Sequence, residues 1–502
     1  MDSLRNLFEK YFFSISAIVI YLVMILFSLK YEMNPYLWFD DAGQFWISQG
    51  LNHDSAPLSP SGGLLDVIRN NAGYNLDPGG YGIILHYWSK LSTNYVWLRS
   101  LSFLFFILST IVLGYLGYLW TRNINIGIWA GFIPFYIPMI FNNGFALRAY
   151  SMEVLGCLVC ILAVHFLQNK LSIKRLFCWS VIIAVFLTSR YSFIVVAFVT
   201  SLYILYLIYK SDSSNKTKWL MAVVYAMPLF VTIIYIYFAA LRFQNPKLDS
   251  FDYLPYISSN WKVLIHRSSL RHFFYLFVVV WLSYIFRGNE KFQKYKGLVF
   301  ITVSVNVLFF VFSCFGMHPW DGGCDRCISM ITLVIISITA LWCELISLVY
   351  EKVKIQYILL LFICYQLTAF KSDIKAPWWK NNSEMSLISD FKQLSIDENS
   401  KVFVDRWESP CLRYQIEYGS LKGVINYPQN YTFMIYRKHG LGYRNSNDLS
   451  RDEWIKKTQP YLNDLYDKYD ILIVPELYVV KTENNDKWKS INGHNKIWIK
   501  AQ

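Results

Sequence analysis

Apolar residues in this chain gather into blocks long enough to cross a bilayer, and no other feature of the sequence limits the fold so strongly. The blocks run approximately Tyr11–Leu29, Tyr95–Trp120, Ile124–Phe141, Tyr150–Leu167, Leu176–Thr188, Tyr191–Tyr209, Trp219–Ala240, Phe273–Phe286, Gly297–Phe315, Ile328–Tyr350 and Gln356–Phe370. A hydrocarbon core of about 30 Å takes about 20 helical residues, so about eleven spans need about 220 residues. With 55% of 502 residues hydrophobic and 16% charged, the composition supplies them. An ordinary soluble enzyme is excluded. The pattern predicts a mainly α, polytopic membrane bundle of about eleven transmembrane helices over residues 1–370.

The 47 basic and 34 acidic residues leave a net charge of +13. In a membrane chain that excess reads first as positive cytoplasmic loops. If the spans alternate, one side carries Arg122, then Lys170, Lys174 and Arg175, then Lys210, Lys216 and Lys218. Arg287, Lys291, Lys294 and Lys296 follow there, and then Lys352 and Lys354. Arg5 and Lys10 precede a first block with no small-residue cleavage pattern, which predicts an uncleaved signal anchor and a cytoplasmic N-terminus. Ser189-Arg190 is either an outside turn or a break in a bent segment. Nucleic-acid binding is disfavoured, because the basic residues are spread over short loops without a stacked aromatic platform. The 9 cysteines are scattered and form no disulfide framework.

Two long loops, 30–94 and 242–272, fall on the extracytoplasmic side, together with the region 371–502. That region is rich in Lys, Asn, Asp and Tyr, with β-type runs at Lys401–Asp405, Asp470–Pro475 and Lys496–Lys500 and a helical pattern over Arg451–Lys468. It predicts a soluble α/β domain. Asp405-Arg406-Trp407-Glu408 and Trp378-Trp379 read as strand ends and surface packing. The domain is expected to guide an acceptor or cover the site, so that deleting it would impair acceptor use more than donor binding.

Chemistry concentrates in the outside loops. Asp40-Asp41 sits among Trp38, Phe39, Phe45 and Trp46. The pair fits a helix N-cap, and its aromatic neighbours also fit a helix at the membrane surface, facing a lipid-borne substrate. Asp77-Pro78-Gly79-Gly80-Tyr81 is a turn that continues into an amphipathic run. Arg148 precedes the fourth block, which opens on Tyr150, and Asp325-Arg326-Cys327 precedes the tenth. His266-Arg267, close to Arg271 and His272, places positive charge on the side where the bias predicts little, which suits an anion site or a solvated amphipathic helix.

Taken in order, these stretches resemble the GT-C fold glycosyltransferases, most closely the protein O-mannosyltransferase, aminoarabinose transferase and RgtA/B/C/D-like group. Asp40-Asp41 stands where the family has Asp-Glu, and Asp77-Pro78-Gly79-Gly80-Tyr81 where it has a polar residue before Pro-Pro-Leu-Tyr. Arg148 with Tyr150 resembles its Arg/Tyr helix entry, and Arg326-Cys327 its late Arg-Tyr element. The topological resemblance covers roughly Tyr11 to Tyr350. It implies an inverting, polyprenyl-phosphate-sugar-dependent glycosyltransferase in the cell membrane, moving a sugar to a glycan, lipid or protein acceptor on the periplasmic or outer face. A phosphate leaving group departs readily, so one base suffices. Asp40 is the expected base, with Asp41 as its substitute. Arg148, Arg190 and Arg326 are expected to carry the phosphate, since guanidinium matches its oxygens. Asp77, Tyr81, Tyr150, His266 and Arg267 complete the expected substrate site.

No cofactor is required. A divalent metal stays open, because Asp41, Asp77, His86, His266, His272 and His318 show no diagnostic spacing. His165, Cys157 and Cys160 read as core residues. For Cys324 and Cys327, a strained disulfide, a metal half-site and two thiols are all open. The alternative function is a secondary transporter or flippase. Such proteins set ionisable residues at mid-membrane, whereas Arg99, Glu153 and Glu344 lie near block ends.

Overall fold

The computed structural model describes residues 2–51, 62–74, 77–244, 256–285, 288, 290–322, 325–350, 358–364, 400–404, 409–422, 431–433, 468–473, 488–490 and 497–500. In chain order the helices are α1 (Asp2–Tyr31), α2 (Phe39–Ser48), α3 (Leu64–Tyr74), α4 (Gly80–Ser89), α5 (Tyr95–Thr121), α6 (Ile124–Phe132), α7 (Pro138–Asn143) and α8 (Tyr150–Asn169). There follow α9 (Ile173–Leu187), α10 (Tyr191–Lys210), α11 (Asn215–Ile236), α12 (Arg267–Ile285), α13 (Glu290–Gln293), α14 (Lys296–Cys314), α15 (Ile328–Val349) and α16 (Ser409–Glu417).

Among the described residues, 8 helices are long and apolar enough to cross a membrane. They are the Phe12–Lys30 part of α1, then α5, α8, α10, α11 with its π-helical extension to Leu241, α12, α14 and α15 with the turn before it. Three of the apolar blocks behave differently. Pro134 and Pro138 divide the Ile124–Phe141 block into α6, a 3-10 turn at Ile133–Tyr136, and α7, because proline lacks the N–H a continuing helix needs. The Leu176–Thr188 block falls on the 15-residue α9, about 22 Å long at 1.5 Å per residue, with Thr188 as its C-cap. Of Gln356–Phe370, only 358–364 is described. At Ser189-Arg190 the chain makes a true turn between α9 and α10, closed by the Ser189 hydroxyl donating to Phe186 O at 2.6 Å.

Helix α8 is the centre of the bundle, with 78% of its apolar stretch buried against 17% for α12. It packs on α5, α10, α14 and α15. Helices α5 and α6 approach most closely at glycines: a Cβ on Gly127 would lie 2.9 Å from Gly114 O, so small residues let the backbones touch.

The C-terminal strands β1 (Val402–Val404), β2 (Tyr431–Phe433), β3 (Ile471–Ile473), β4 (Trp488–Ser490) and β5 (Ile497–Lys500) form one mixed sheet in the order β2-β1-β3-β5-β4. Strand β1 runs parallel to β2 and β3, pairing Val402 with Tyr431 and with Ile471, while β5 is antiparallel to β3 and β4. Three of these strands fall on the β-type runs read from the sequence. Residues 451–467 of the expected helix, the 405–408 stretch and Trp378-Trp379 lie outside the described residues.

Helix α16 packs against α2 and changes the expected setting of that helix. Trp46 Nε1 donates to Pro410 O at 3.0 Å, and the Phe45 ring meets Tyr414 and Tyr418 edge-on at 5.1 and 5.4 Å. Tyr414 OH donates to Thr93 O at 2.8 Å, and Gln415 Nε2 to Pro35 O at 3.0 Å. Every residue from Asp41 to Ser48 is therefore buried. Of the aromatic residues that suggested a membrane-surface helix, Phe45 and Trp46 are taken up by protein contacts, while Trp38 is exposed and Phe39 is partly buried.

Candidate functional site

Asp40 and Asp41 occupy the first turn of α2, where carboxylates interact favourably with the helix dipole. Neither caps the helix; the N-cap is Trp38, whose side chain makes no capping bond. At 3.6 residues per turn, neighbours point about 100° apart, so the two acids enter different environments. Asp41 turns inward, with its side chain 1% exposed and Oδ2 2.8 Å from Arg99 Nη1. Its Oδ1 accepts the Leu147 N–H at 3.0 Å. Arg99 also donates to the carbonyls of Asn34, Tyr36 and Phe145. This cluster ties the chain leaving α1 to the segment before α8.

Asp40 turns outward. Its side chain is 40% exposed, and its Oδ2 lies 2.7 Å from Arg148 Nη1. Tyr150 follows, with the Arg148 guanidinium 5.7 Å from its ring centroid and the Arg190 guanidinium 4.1 Å away. Burial works against the Arg148 cation, but Asp40, Tyr150, Asp77 and Asp41 together hold its pKa above the usual value. For Arg190, burial is likewise outweighed, first by Tyr150 and then by Glu153. Both cations are thus fixed in charge. The arrangement sets two cations and one exposed carboxylate along one edge.

The Asp77 loop sits beside this edge. Asp77 Oδ1 accepts the Gly79 N–H at 2.8 Å, and Gly79 takes φ +88°, a left-handed value that favours glycine. The Gly80 N–H donates to Thr188 O at 2.9 Å. A Cβ on Gly80 would lie 1.9 Å from Thr188 Oγ1, so the loop can seat on the α9–α10 turn only with glycine there. Gln244 Nε2 donates to Asp77 O at 2.9 Å, while its Oε1 accepts from Tyr191 OH at 2.6 Å. Tyr81, expected to contact substrate, is fully buried; its hydroxyl bonds Ser102 Oγ at 2.7 Å, and burial raises its pKa. It packs beneath the site and does not line it.

Arg326 is half-buried in the turn before α15. Its neighbour Asp325 accepts from Asn143 Nδ2 at 2.9 Å, and Asn143 O accepts from Ser151 at 2.6 Å, which fastens that turn to the start of α8. His318 feels both Arg190 and Arg326; burial above all lowers its pKa to about 4 despite its bond to Pro319 O. His266 and Arg267 are exposed at the start of α12, where His266 Nδ1 pairs with Ser268 Oγ at 2.6 Å and Ser268 donates to Asp321. They belong to this neighbouring group and not to the Asp40–Arg148 pair.

The metal candidates are engaged separately: Asp41 with Arg99, His86 with Ser48 O, His272 with Asn306 and His318 with Pro319 O. Among the described residues, no group of three His, Cys, Asp or Glu side chains is placed to hold a metal ion. Cys327 is buried and its thiol donates to Pro319 O at 3.2 Å, while Cys324 lies outside the described residues.

Two residues that build the site, Arg99 and Glu153, are not among the site residues expected from the sequence, where they serve only as charges near block ends that speak against a transporter. Their signal is present there, since each is a lone charge on an apolar helix, a position that by itself points to function or a buried partner. The site stands on its own geometry: no family model matches the chain, and comparison with curated proteins finds no match.

Proposed function

We propose that the protein is an integral-membrane inverting glycosyltransferase that takes a sugar from a polyprenyl-phosphate donor. The observation that carries this reading is the Asp40–Arg148 pair, a half-exposed carboxylate 2.7 Å from a guanidinium whose charge is fixed. The donor phosphate competes for Arg148 and releases Asp40. The acceptor oxygen then bonds to the anomeric carbon while the carbon–phosphate oxygen bond breaks. Asp40 takes the acceptor proton, and Arg148, with Arg326, holds the departing phosphate, while Arg190 stays paired with Glu153. Inversion follows from attack opposite the phosphate.

The remaining parts of the proposal are an eleven-span GT-C arrangement, including the shorter Ile124–Asn143, α9 and 356–370 segments, and a cytoplasmic N-terminus. The site and a C-terminal α/β domain then face the periplasmic or outer side. Support comes from the common end of the bundle shared by Asp40, Asp77, Arg148, Tyr150 and Arg190. The acceptor is a glycan, lipid or protein.

The test is incubation of purified protein with a panel of labelled polyprenyl-phosphate sugars and membrane extract. Label appearing in an extract component supports the reading and names the acceptor class. Donor crossing vesicle membranes without transfer would replace it with a flippase.

A further inference from the structure

A carboxylate buried inside an apolar helix calls for a physical reason, because an ion there loses its hydration. Glu153 is completely buried one turn into α8. Its Oε2 lies 3.1 Å from Arg190 Nε, an ion pair and not an aligned hydrogen bond, and its Oε1 accepts from Ser192 Oγ at 2.5 Å. Packing alone does not require the pair, since apolar replacements of a whole buried ion pair are often neutral or stabilising. What the pair achieves is placement: it holds the Arg190 guanidinium 4.1 Å from the Tyr150 ring, whose other neighbour is Arg148 at 5.7 Å. The result is an array of Glu153, Arg190, Tyr150, Arg148 and Asp40, with an anion at each end and two cations flanking one aromatic ring.

The two ends differ in access. The Asp40 side chain is 40% exposed and that of Glu153 0%. An incoming anion can therefore exchange with Asp40 but cannot reach Glu153, which leaves Arg190 permanently committed and Arg148 free to change partners. The turn that carries Arg190 is itself held by the Gly80–Thr188 bond, so the fixed end of the array is anchored from two directions.

We propose that Glu153 is a positioning residue, which locks Arg190 over Tyr150 so that the ring supports Arg148 as its guanidinium passes from Asp40 to the substrate phosphate. The phosphate in this step rests on the glycosyltransferase reading; the array itself does not.

The experiment measures melting temperature and farnesyl phosphate affinity for the full-length protein in detergent, alongside sugar transfer. The variants are Glu153→Gln/Arg190→Gln and Arg190→Lys. The double variant removes both charges and should melt with the wild type, yet bind farnesyl phosphate about tenfold more weakly, equivalent to ~1.4 kcal/mol. Arg190→Lys keeps a charge for Glu153 but loses the planar guanidinium over the ring, and should show a similar loss. Wild-type stability with wild-type affinity in the double variant would reduce the pair to packing and overturn the proposal. If the double variant does not fold, unchanged affinity in Arg190→Lys overturns it instead. A wild-type protein that neither binds farnesyl phosphate nor transfers sugar would remove the functional reading as well, a result visible before any variant is compared.

Discussion

Two adjacent aspartates with opposite surroundings make the sharpest contrast in the molecule. Asp40→Asn preserves the size of a half-exposed side chain but removes its charge, so sugar transfer should fall by about 10²–10⁴-fold, the usual loss for a general base, with little change in melting temperature. Asp41→Asn leaves the buried Arg99 cation without its counter-charge, and the expected cost is about 3–5 kcal/mol of stability. Measuring transfer and thermal unfolding on both variants separates the roles; an active Asp40→Asn protein would remove the base assignment. His318 supplies a pH test. Its folded pKa of about 4 lies below the ordinary value of 6.5, so the unfolded chain binds the proton first as pH falls. Its contribution to stability is complete above pH 6.5 and is lost as the pH drops towards 4. Unfolding of His318→Gln should therefore depend less on pH across that window than unfolding of the wild type; equal slopes would mean that the imidazole is not shielded from protonation.

Between elements, the decisive contact is the seat of the Asp77 loop on the α9–α10 turn. Gly80→Ala would drive a methyl into Thr188, whose Oγ1 and Cβ would lie 1.9 and 2.4 Å from it. The expected cost is about 1–3 kcal/mol, typical of overpacking, with a loss of farnesyl phosphate affinity because the same turn carries Arg190. Adding Thr188→Gly removes the two nearest atoms and should restore part of the stability; no recovery would show that the strain lies elsewhere. The Pro-Gly-Gly spacing makes this turn legible in the sequence, whereas its partner is not, since nothing local links residue 80 to residue 188. The same limit applies to Asp40 and Asp41. Their spacing locates the site, but which acid turns inward depends on Arg99, a residue more than fifty positions away that reads as a charge at a block end.

Across the whole molecule, the long apolar blocks are readable because burial in lipid demands them, and among the described residues eight appear as helices of spanning length. The shorter blocks depend on prolines and on packing partners that hydropathy does not record. The role of the C-terminal region is the least accessible, because α16 meets α2 through residues such as Trp46 and Pro410, 364 positions apart. That contact adds a further role to the expectation that this region guides the acceptor or covers the site. Trp46 and Phe45 are buried between α2 and the C-terminal tyrosines, and α2 carries Asp40. Removing residues 371–502 would expose both rings and loosen the helix that carries Asp40, the proposed base. Transfer should then fall with every acceptor, and Trp46→Ala, which costs about 3–5 kcal/mol where a buried tryptophan is lost, should reproduce part of the fall in the intact chain. Kinetics with two chemically different acceptors decide between the roles. A common drop in kcat identifies the C-terminal region as a brace for α2, while a rise in KM confined to one acceptor would return it to acceptor recognition.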